Sequence, residues 1–307
     1  MVAAALAMEA RLVAAAGALA DAGVPAVVLK GTPLARRIYG RLDARGVPVD
    51  VDLLVRRRDV ARATESLGDL GYHARSPQEV AARLKAHRAV VLAGPAGVPI
   101  DLHWSPFPAV LYPASEETVF ANVEPFELPG MTVAVFNRPL TVIHLAAQYA
   151  QGGFTEIRMV VDLAAAWSAW AEPRMANQVA ALSRVLGVHH TVDYAFGVAD
   201  RLGLLDRPSP LIRSVPARRL SWLLPRGRPA TATGPDYVGM CLALGLADPI
   251  RAAASLRWAA WPPRGMADPG EDGPAARSRR ALRIAAATIS TATSARGGRP
   301  PAPDPRP

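Results

Sequence analysis

Two aspartates in the run VDVDLLV have the residue type and spacing of a metal site. Asp50 and Asp52 are two positions apart, and side chains at i and i+2 of a β-strand project from the same face. Two carboxylates that close repel each other and resist burial unless a cation lies between them. A hard divalent cation with oxygen ligands, Mg²⁺ or Mn²⁺, is the natural partner. The run therefore predicts paired metal ligands on one strand.

A third carboxylate lies in the run VPIDLHW. Asp101 comes near the end of a predicted strand, and it joins the first pair if the two strands are neighbours in the sheet. Three carboxylates on adjacent strands can hold two metal ions roughly 3.5–4 Å apart, which suits phosphoryl transfer. His103 lies on the same strand face as Asp101, where it is either part of the site or packed beside Trp104.

The alternative is that the D-x-D pair is simply solvated, since most such pairs lie on strand edges or in turns. The apolar residues around the pair (Val49, Val51, Leu53, Leu54 and Val55) indicate a buried strand instead. The metal interpretation is therefore favoured over the solvated one.

Strands and helices alternate in the first half of the chain. Short apolar runs predict strands over 26–29, 49–55, near Tyr72, over 89–92 and over 98–103, with the turn-forming AGPAG between the last two. Helical spacing lies between them, with Thr32 placed to cap one helix and Pro33 suited to its first turn. From Leu140 onward the apolar spacing is helical almost throughout.

This order predicts an α/β (α+β) protein in three parts. They are a mixed-sheet core over 1–135, a helical domain over 136–261 and a largely disordered tail over 262–307, rich in Pro, Gly and Arg. A short helix is expected within the tail, around 275–288.

Composition narrows the class of protein. The formal charge is +9, but seven arginines lie in the last stretch of the chain, from Arg277 to Arg306, so the charge argues only weakly for nucleic acid as a partner. The single cysteine, Cys241, excludes an internal disulfide. Residues 1–20 are apolar, but Glu9 and Arg11 interrupt them, which favours an amphipathic helix over a signal peptide or a membrane span. We expect a cytoplasmic protein without a membrane partner.

Four blocks of sequence carry a resemblance to a known family. The runs LKGTPLARRIYG, VDVDLLV and VPIDLHW, followed by the R-x-x-x-D pair in IRMVVDLAAAW, occur in this order over roughly residues 20–170. Together they resemble the uncharacterised bacterial nucleotidyltransferases of the DNA polymerase β-like superfamily. The resemblance implies a polymerase-β-like nucleotidyltransferase core followed by a helical region.

The resemblance also implies roles for the acidic residues. Asp50 and Asp52 would be the paired ligands of Mg²⁺ or Mn²⁺, and Asp101 would be the third carboxylate, placed to help remove a proton from an attacking hydroxyl. All three would be catalytic. His144 would be one of the histidines that the family has on the helix after its L-x-x-L run.

Five residues would contact a nucleoside triphosphate by the same resemblance. Gly31 and Thr32 stand at the superfamily's glycine-containing turn, where a helix N-terminus favours phosphate. Lys30 would lie against the triphosphate, unless it is a strand-end lysine in solvent. Arg45 resembles the family's arginine, about one residue from its expected place. Arg158 would close the site together with Asp162, or the two would form an ordinary i,i+4 ion pair.

The implied activity is metal-dependent transfer of a nucleoside monophosphate from a nucleoside triphosphate to an acceptor hydroxyl. The acceptor is unidentified, and a peptide or a small molecule of a biosynthetic pathway is conceivable. One alternative is an inactive binding module that keeps the fold and holds a partner protein. The other is a nucleic-acid-directed protein that uses the basic tail, with an affinity that falls steeply with salt.

Overall fold

The computed structural model describes most of the chain up to residue 206. The described residues are 2–46, 48–86, 88–108, 111–152, 156–170 and 172–206, followed by 209, 211, 257, 273–279, 281–282 and 285–286. The predicted helical domain beyond residue 211 and most of the predicted tail lie outside them. Of the tail helix expected around 275–288, the described residues 274–279, 281–282 and 285–286 are helical.

Six strands form one mixed sheet in the order β3-β4-β2-β1-β6-β5. Within it β2 runs parallel to β4 and β1 parallel to β6, while the other neighbouring pairs are antiparallel. The strands are β1 (Ala26–Val28), β2 (Val51–Val55), β3 (Ala89–Leu92), β4 (Ile100–His103), β5 (Val123–Leu128) and β6 (Met131–Phe136). The mixed α/β fold predicted from the sequence is thereby confirmed.

Helices cover both faces of the sheet because its central strands are apolar on both sides. Val27 and Leu54 belong to one core cluster, and their strand neighbours Val28, Leu53 and Val55 to the other, as the two-residue alternation of a strand requires. The helices are α1 (Val2–Asp21), α2 (Thr32–Tyr39), α3 (Val60–Gly68), α4 (Pro77–Ala86), α5 (Glu116–Phe120), α6 (Arg138–Gln151), α7 (Ile157–Trp170), α8 (Pro173–Val185) and α9 (His189–Arg201).

The larger core cluster joins the sheet to the helices α6 to α9. It contains Val27 and Leu54 of the sheet together with Ile143 of α6, Trp167 of α7 and Phe196 of α9. The boundary predicted between residues 135 and 136 falls at the end of β6, just before α6, and the segments on either side pack against each other. The division into separate domains stays a prediction.

Among the described helices, α1 alone is long and apolar enough to cross a membrane by length and composition. Its apolar side carries Met8, Leu12 and Leu19, which lie in the core cluster with β2 and α3. Glu9 of the same helix accepts two hydrogen bonds from Arg36 of α2, at 3.0 and 2.9 Å. This is the packing of a core helix, in agreement with the amphipathic helix predicted from the sequence.

Three local predictions are corrected by the structure. The strand expected from Val49 begins at Val51, and the Val49 side chain is 77% exposed. The strand expected near Tyr72 is reduced to an isolated bridge between His73 and Ala93. Thr32 does not cap α2, because Gly31 is the N-cap residue, with φ near 81°, and no side chain caps the helix.

Candidate active site

Asp52 and Asp101 lie side by side on adjacent parallel strands. The register of β2 and β4 places the two residues directly opposite each other. Asp52 is buried, with 5% of its surface exposed, and Asp101 is half-buried. The neighbouring strands that the sequence required are therefore present. Asp50 is half-buried and precedes β2 instead of lying within it.

Both carboxylate oxygens of Asp52 are occupied by neighbouring side chains. His103 Nε2 lies 3.1 Å from Oδ1, and Lys30 Nζ lies 3.0 Å from Oδ2. Lys30 comes just after β1, the strand next to β2, so the sheet itself brings the two residues together. The other ring nitrogen of His103, Nδ1, is buried and has no hydrogen-bond partner among the described residues.

The three carboxylates differ in how their surroundings shift their pKa. Burial alone would raise the pKa of Asp52, but the hydrogen bond from His103 and the charge of Lys30 outweigh it, so this pKa is well below its usual range. Burial, followed by repulsion from Asp52, raises the pKa of both Asp50 and Asp101. Burial lowers the pKa of His103, so a neutral imidazole donates Nε2–H to Asp52.

The acidic cluster fits a divalent cation. Ligand atoms of Asp52, Asp101 and His103 lie within 4.8 Å of one another. Burial and repulsion from Asp52 raise the pKa of Asp50 and Asp101, so negative charge on these two carboxylates is unfavourable without a further cation. A hard cation with oxygen ligands would offset it. Asp50, predicted as a ligand, lies outside the set of three but faces the adjoining cavity.

A cavity of about 150 Å³ opens beside the carboxylates, between the sheet side and the helical side of the molecule. All five residues predicted to contact a nucleotide line it. Thr32 is buried at its edge, and in the part of the chain that the structure describes its Oγ1 has no hydrogen-bond partner. The lining residues include Lys30, Gly31, Thr32, Arg45, Asp50, Asp52, Leu145, Gln148, Arg158, Met159 and Asp162.

Asp162, on the helical side of the cavity, contacts two residues of the opposite side. Its Oδ2 lies 2.7 Å from Arg45 Nε, and its Oδ1 accepts a hydrogen bond of 2.8 Å from the Tyr39 hydroxyl. The i,i+4 pair with Arg158, one of the two interpretations of the sequence, is therefore not the contact that Asp162 makes. Within the described part of the chain the exposed Arg158 forms no ion pair.

Residues 1–203, about two thirds of the chain, match the family described as uncharacterised nucleotidyltransferase. The chain belongs to this nucleotidyltransferase family. The resemblance drawn from four blocks of sequence is thereby confirmed, and so is the class of enzyme. Comparison with the curated proteins gave no match, and comparison with the solved structures gave none either.

Sequence reasoning missed several residues in or near this candidate site of the nucleotidyltransferase. For His103 the sequence indicated only a strand face shared with Asp101. Its contact with Asp52 on the neighbouring strand was not predicted, because the register between the two strands decides which side chains meet. Tyr39, Leu145 and Met159 gave no signal, because they read as ordinary apolar positions of helices. The place of Leu145 and Met159 in the cavity wall depends on how α6 and α7 pack on the sheet, and the hydrogen bond of Tyr39 depends on the position of α7.

Proposed function

We propose that this nucleotidyltransferase transfers a nucleoside monophosphate from a nucleoside triphosphate to the hydroxyl of an acceptor, with a divalent cation held by Asp50, Asp52 and Asp101. The observation that carries the proposal is the register of Asp52 with Asp101 beside a cavity lined by Lys30, Gly31 and Thr32. The acceptor is taken to be a peptide or a small molecule, and the protein is taken to be cytoplasmic.

The cation would supply charge neutralisation at the phosphates and orient the reacting oxygens. The remaining contributions come from the chain. Lys30, Arg45 and Arg158 would bind the triphosphate oxygens, and the backbone at Gly31 and Thr32 would face them at the start of α2. Leu145 and Met159 would exclude water from one side of the cavity.

The reaction is a displacement at the α-phosphorus. The acceptor oxygen forms a new bond to that phosphorus, and the bond to the bridging oxygen of the β-phosphate breaks, so that pyrophosphate leaves. Asp101, whose pKa is raised by burial and by Asp52, would accept the hydroxyl proton. His103 keeps Asp52 oriented through the Nε2–H bond and does not take part in the proton transfer.

A thermal-shift titration tests the proposal. Wild type, the double variant Asp50→Asn/Asp52→Asn and the control Asp69→Asn, an exposed carboxylate after α3, are titrated with each nucleoside triphosphate and with Mg²⁺ or Mn²⁺. A ligand at a hundredfold excess over its Kd stabilises the folded state by about 2.7 kcal/mol. We expect stabilisation of wild type and of the control, and none of the double variant.

The same titration, read together with the release of pyrophosphate, separates the alternatives. Equal responses of wild type and double variant would contradict a metal site at these aspartates. Binding of triphosphate and metal without release of pyrophosphate in the presence of candidate acceptors would favour the inactive binding module. The site then keeps its ligands but has lost its reaction.

A further inference from the structure

Lys30 has two possible partners in the candidate site, and only one of them is a phosphate. Its Nζ lies 3.0 Å from Asp52 Oδ2, and its side chain is 24% exposed, so it reaches the buried carboxylate from the cavity. A buried ion pair contributes little net stability, because removing both charges from water costs about as much as their attraction gains. The pair is therefore poorly explained as a stabilising device.

His103 and Lys30 each contact one oxygen of Asp52. The imidazole Nε2 lies 3.1 Å from Oδ1 and is held in the interior, with 4% of the histidine exposed. Lys30 Nζ lies 3.0 Å from the other oxygen, Oδ2. A carboxylate oxygen has two lone pairs, but a metal ion would lie at about 2.1 Å from the oxygen that it binds. A metal ion on Oδ2 would therefore lie next to the ammonium, and repulsion between the two positive charges opposes its binding.

The Lys30 side chain is also able to leave Asp52. A lysine is a point charge on a flexible stem of four carbons, and it has no fork geometry that fixes it to one carboxylate. The cavity on its exposed side is lined by carboxylates and also by Gly31, Arg45 and Arg158. Arg45 is paired with Asp162, so the exposed Arg158 and the backbone at Gly31 are the groups best placed to bind an anion beside Lys30. Loss of Asp52 as a partner would therefore be compensated if a polyphosphate entered the same cavity.

We propose that Lys30 is an internal substitute for the metal ion. In the absence of ligands its ammonium group pairs with Asp52, and it moves to the triphosphate when metal and nucleotide bind together. This inference rests on the proposed function. It deepens that function by linking the two binding events. A metal ion that binds alone must displace Lys30 from Asp52, which weakens its binding. When a polyphosphate binds as well, the ammonium gains a new anion, and the loss of Asp52 is compensated.

The proposal predicts effects of opposite sign from one substitution. Lys30→Met removes the competitor, so the affinity for Mn²⁺ alone should rise on the order of tenfold, as expected for loss of a neighbouring like charge. The affinity for inorganic tripolyphosphate in the presence of saturating Mn²⁺ should fall. A lysine that served the triphosphate alone would leave the affinity for free Mn²⁺ nearly unchanged.

The first measurement is a Mn²⁺ titration followed by electron paramagnetic resonance, without nucleotide. The proteins are wild type, Lys30→Met, Asp52→Asn and Lys85→Met, which is a matched control because Lys85 is the other lysine of the chain and is exposed. We expect tighter Mn²⁺ binding by Lys30→Met, unchanged binding by Lys85→Met and loss of binding by Asp52→Asn. Circular dichroism checks that each variant is folded.

A second measurement needs no substitution. Reductive methylation of wild type with ¹³C-formaldehyde labels Lys30, Lys85 and the N-terminal amine, and it keeps their positive charges. Mg²⁺ with tripolyphosphate should shift the Lys30 signal, assigned with Lys30→Met, and leave the Lys85 signal in place.

The two ideas fail in different ways. If Lys30→Met binds Mn²⁺ no more tightly than wild type while Asp52→Asn loses it, the metal site stands and the substitute role of Lys30 is wrong. An unmoved Lys30 signal on addition of both ligands has the same meaning. If wild type and Asp52→Asn bind Mn²⁺ equally, both the metal site and the role of Lys30 are wrong.

Discussion

His144 of α6 is a fully buried histidine near the acidic cluster. Its ring meets the edges of Phe136 and Phe107, with centroid distances of 5.3 and 6.3 Å, and its Nε2 lies 3.2 Å from the Gln148 amide nitrogen. Burial, together with the charges of Lys30 and Arg88, lowers the pKa of His144 to about 3. The folded protein therefore holds this imidazole neutral, as an acceptor for the amide of Gln148.

This burial predicts a loss of stability on mild acidification. Because the folded pKa is below the unfolded value, only the unfolded chain gains the proton as the pH falls below about 6.5. Lowering the pH from 7 to 5 should therefore reduce the free energy of unfolding of the wild type by about 2 kcal/mol. The variant His144→Gln should not show this contribution. Urea unfolding at both pH values measures the difference.

The exposed His73 provides the control for that experiment. His73→Gln should show the same pH dependence as wild type, which separates the buried site from a general effect of losing a histidine. An equal loss of stability in wild type and His144→Gln would contradict the assignment of a neutral, buried imidazole.

At the scale of elements, Asp162 connects α7 to the segment between α2 and β2. It binds Tyr39 at the end of α2 and Arg45 in the loop, and only 1% of its surface is exposed. Arg45 is held through Nε, with 14% of its side chain exposed. The loop that leads to Asp50 is thus fixed to the helical side of the cavity by one carboxylate.

Asp162→Asn should therefore weaken both the fold and the cavity. Removing one charge of a buried pair leaves the other uncompensated, at a cost of about 3 kcal/mol, and we expect a lower affinity for tripolyphosphate because Arg45 loses its anchor. Urea unfolding and a tripolyphosphate titration measure the two effects. Asp43→Asn is a matched control, since Asp43 pairs with the exposed Arg41, and it should change neither quantity. A normal affinity in a destabilised Asp162→Asn would show that the cavity does not depend on this anchor.

The sequence predicted the strands around the carboxylates better than those at the β5 edge of the sheet. The strands of Asp52 and Asp101 were found because their apolar runs are short and bounded by turn residues. The hairpin of β5 and β6 was not predicted, although Pro-Gly separates its strands. It precedes the helical segment that begins at α6, and β6 reaches β1 by a long-range parallel pairing that no local pattern reveals.

Val49 shows a different limit of sequence patterns. Its apolar side chain was counted as evidence for a buried strand, but it is 77% exposed, because the strand begins two residues later. Element ends are set by tertiary pairing as much as by residue type. Asp50 consequently lies before β2, and its place beside the cavity depends on the loop that Arg45 and Asp162 fix.

At the scale of the whole molecule, the helices α6 to α9 and the sheet share the larger core cluster. Phe196 of α9 is fully buried and meets Trp167 of α7 at a centroid distance of 4.9 Å, and both belong to the cluster that contains Val27 and Leu54 of the sheet. The cavity lies between the sheet and α6 and α7, so its geometry depends on this shared packing. A chain of this kind should unfold as one unit over residues 2–206.

Native-state hydrogen exchange tests this cooperativity. Phe196→Leu removes buried aromatic surface from α9 and should lower amide protection in β1 and β2 by the same factor as in α6 to α9, because one opening reaction exposes both. Val185→Ala, at a position 64% exposed on α8, should leave protection unchanged in both parts. Loss of protection confined to the helices would instead mean that the boundary predicted near residue 135 separates two units. The candidate site would then lie between bodies free to move, and nucleotide binding should restore the protection that Phe196→Leu removes from the helices.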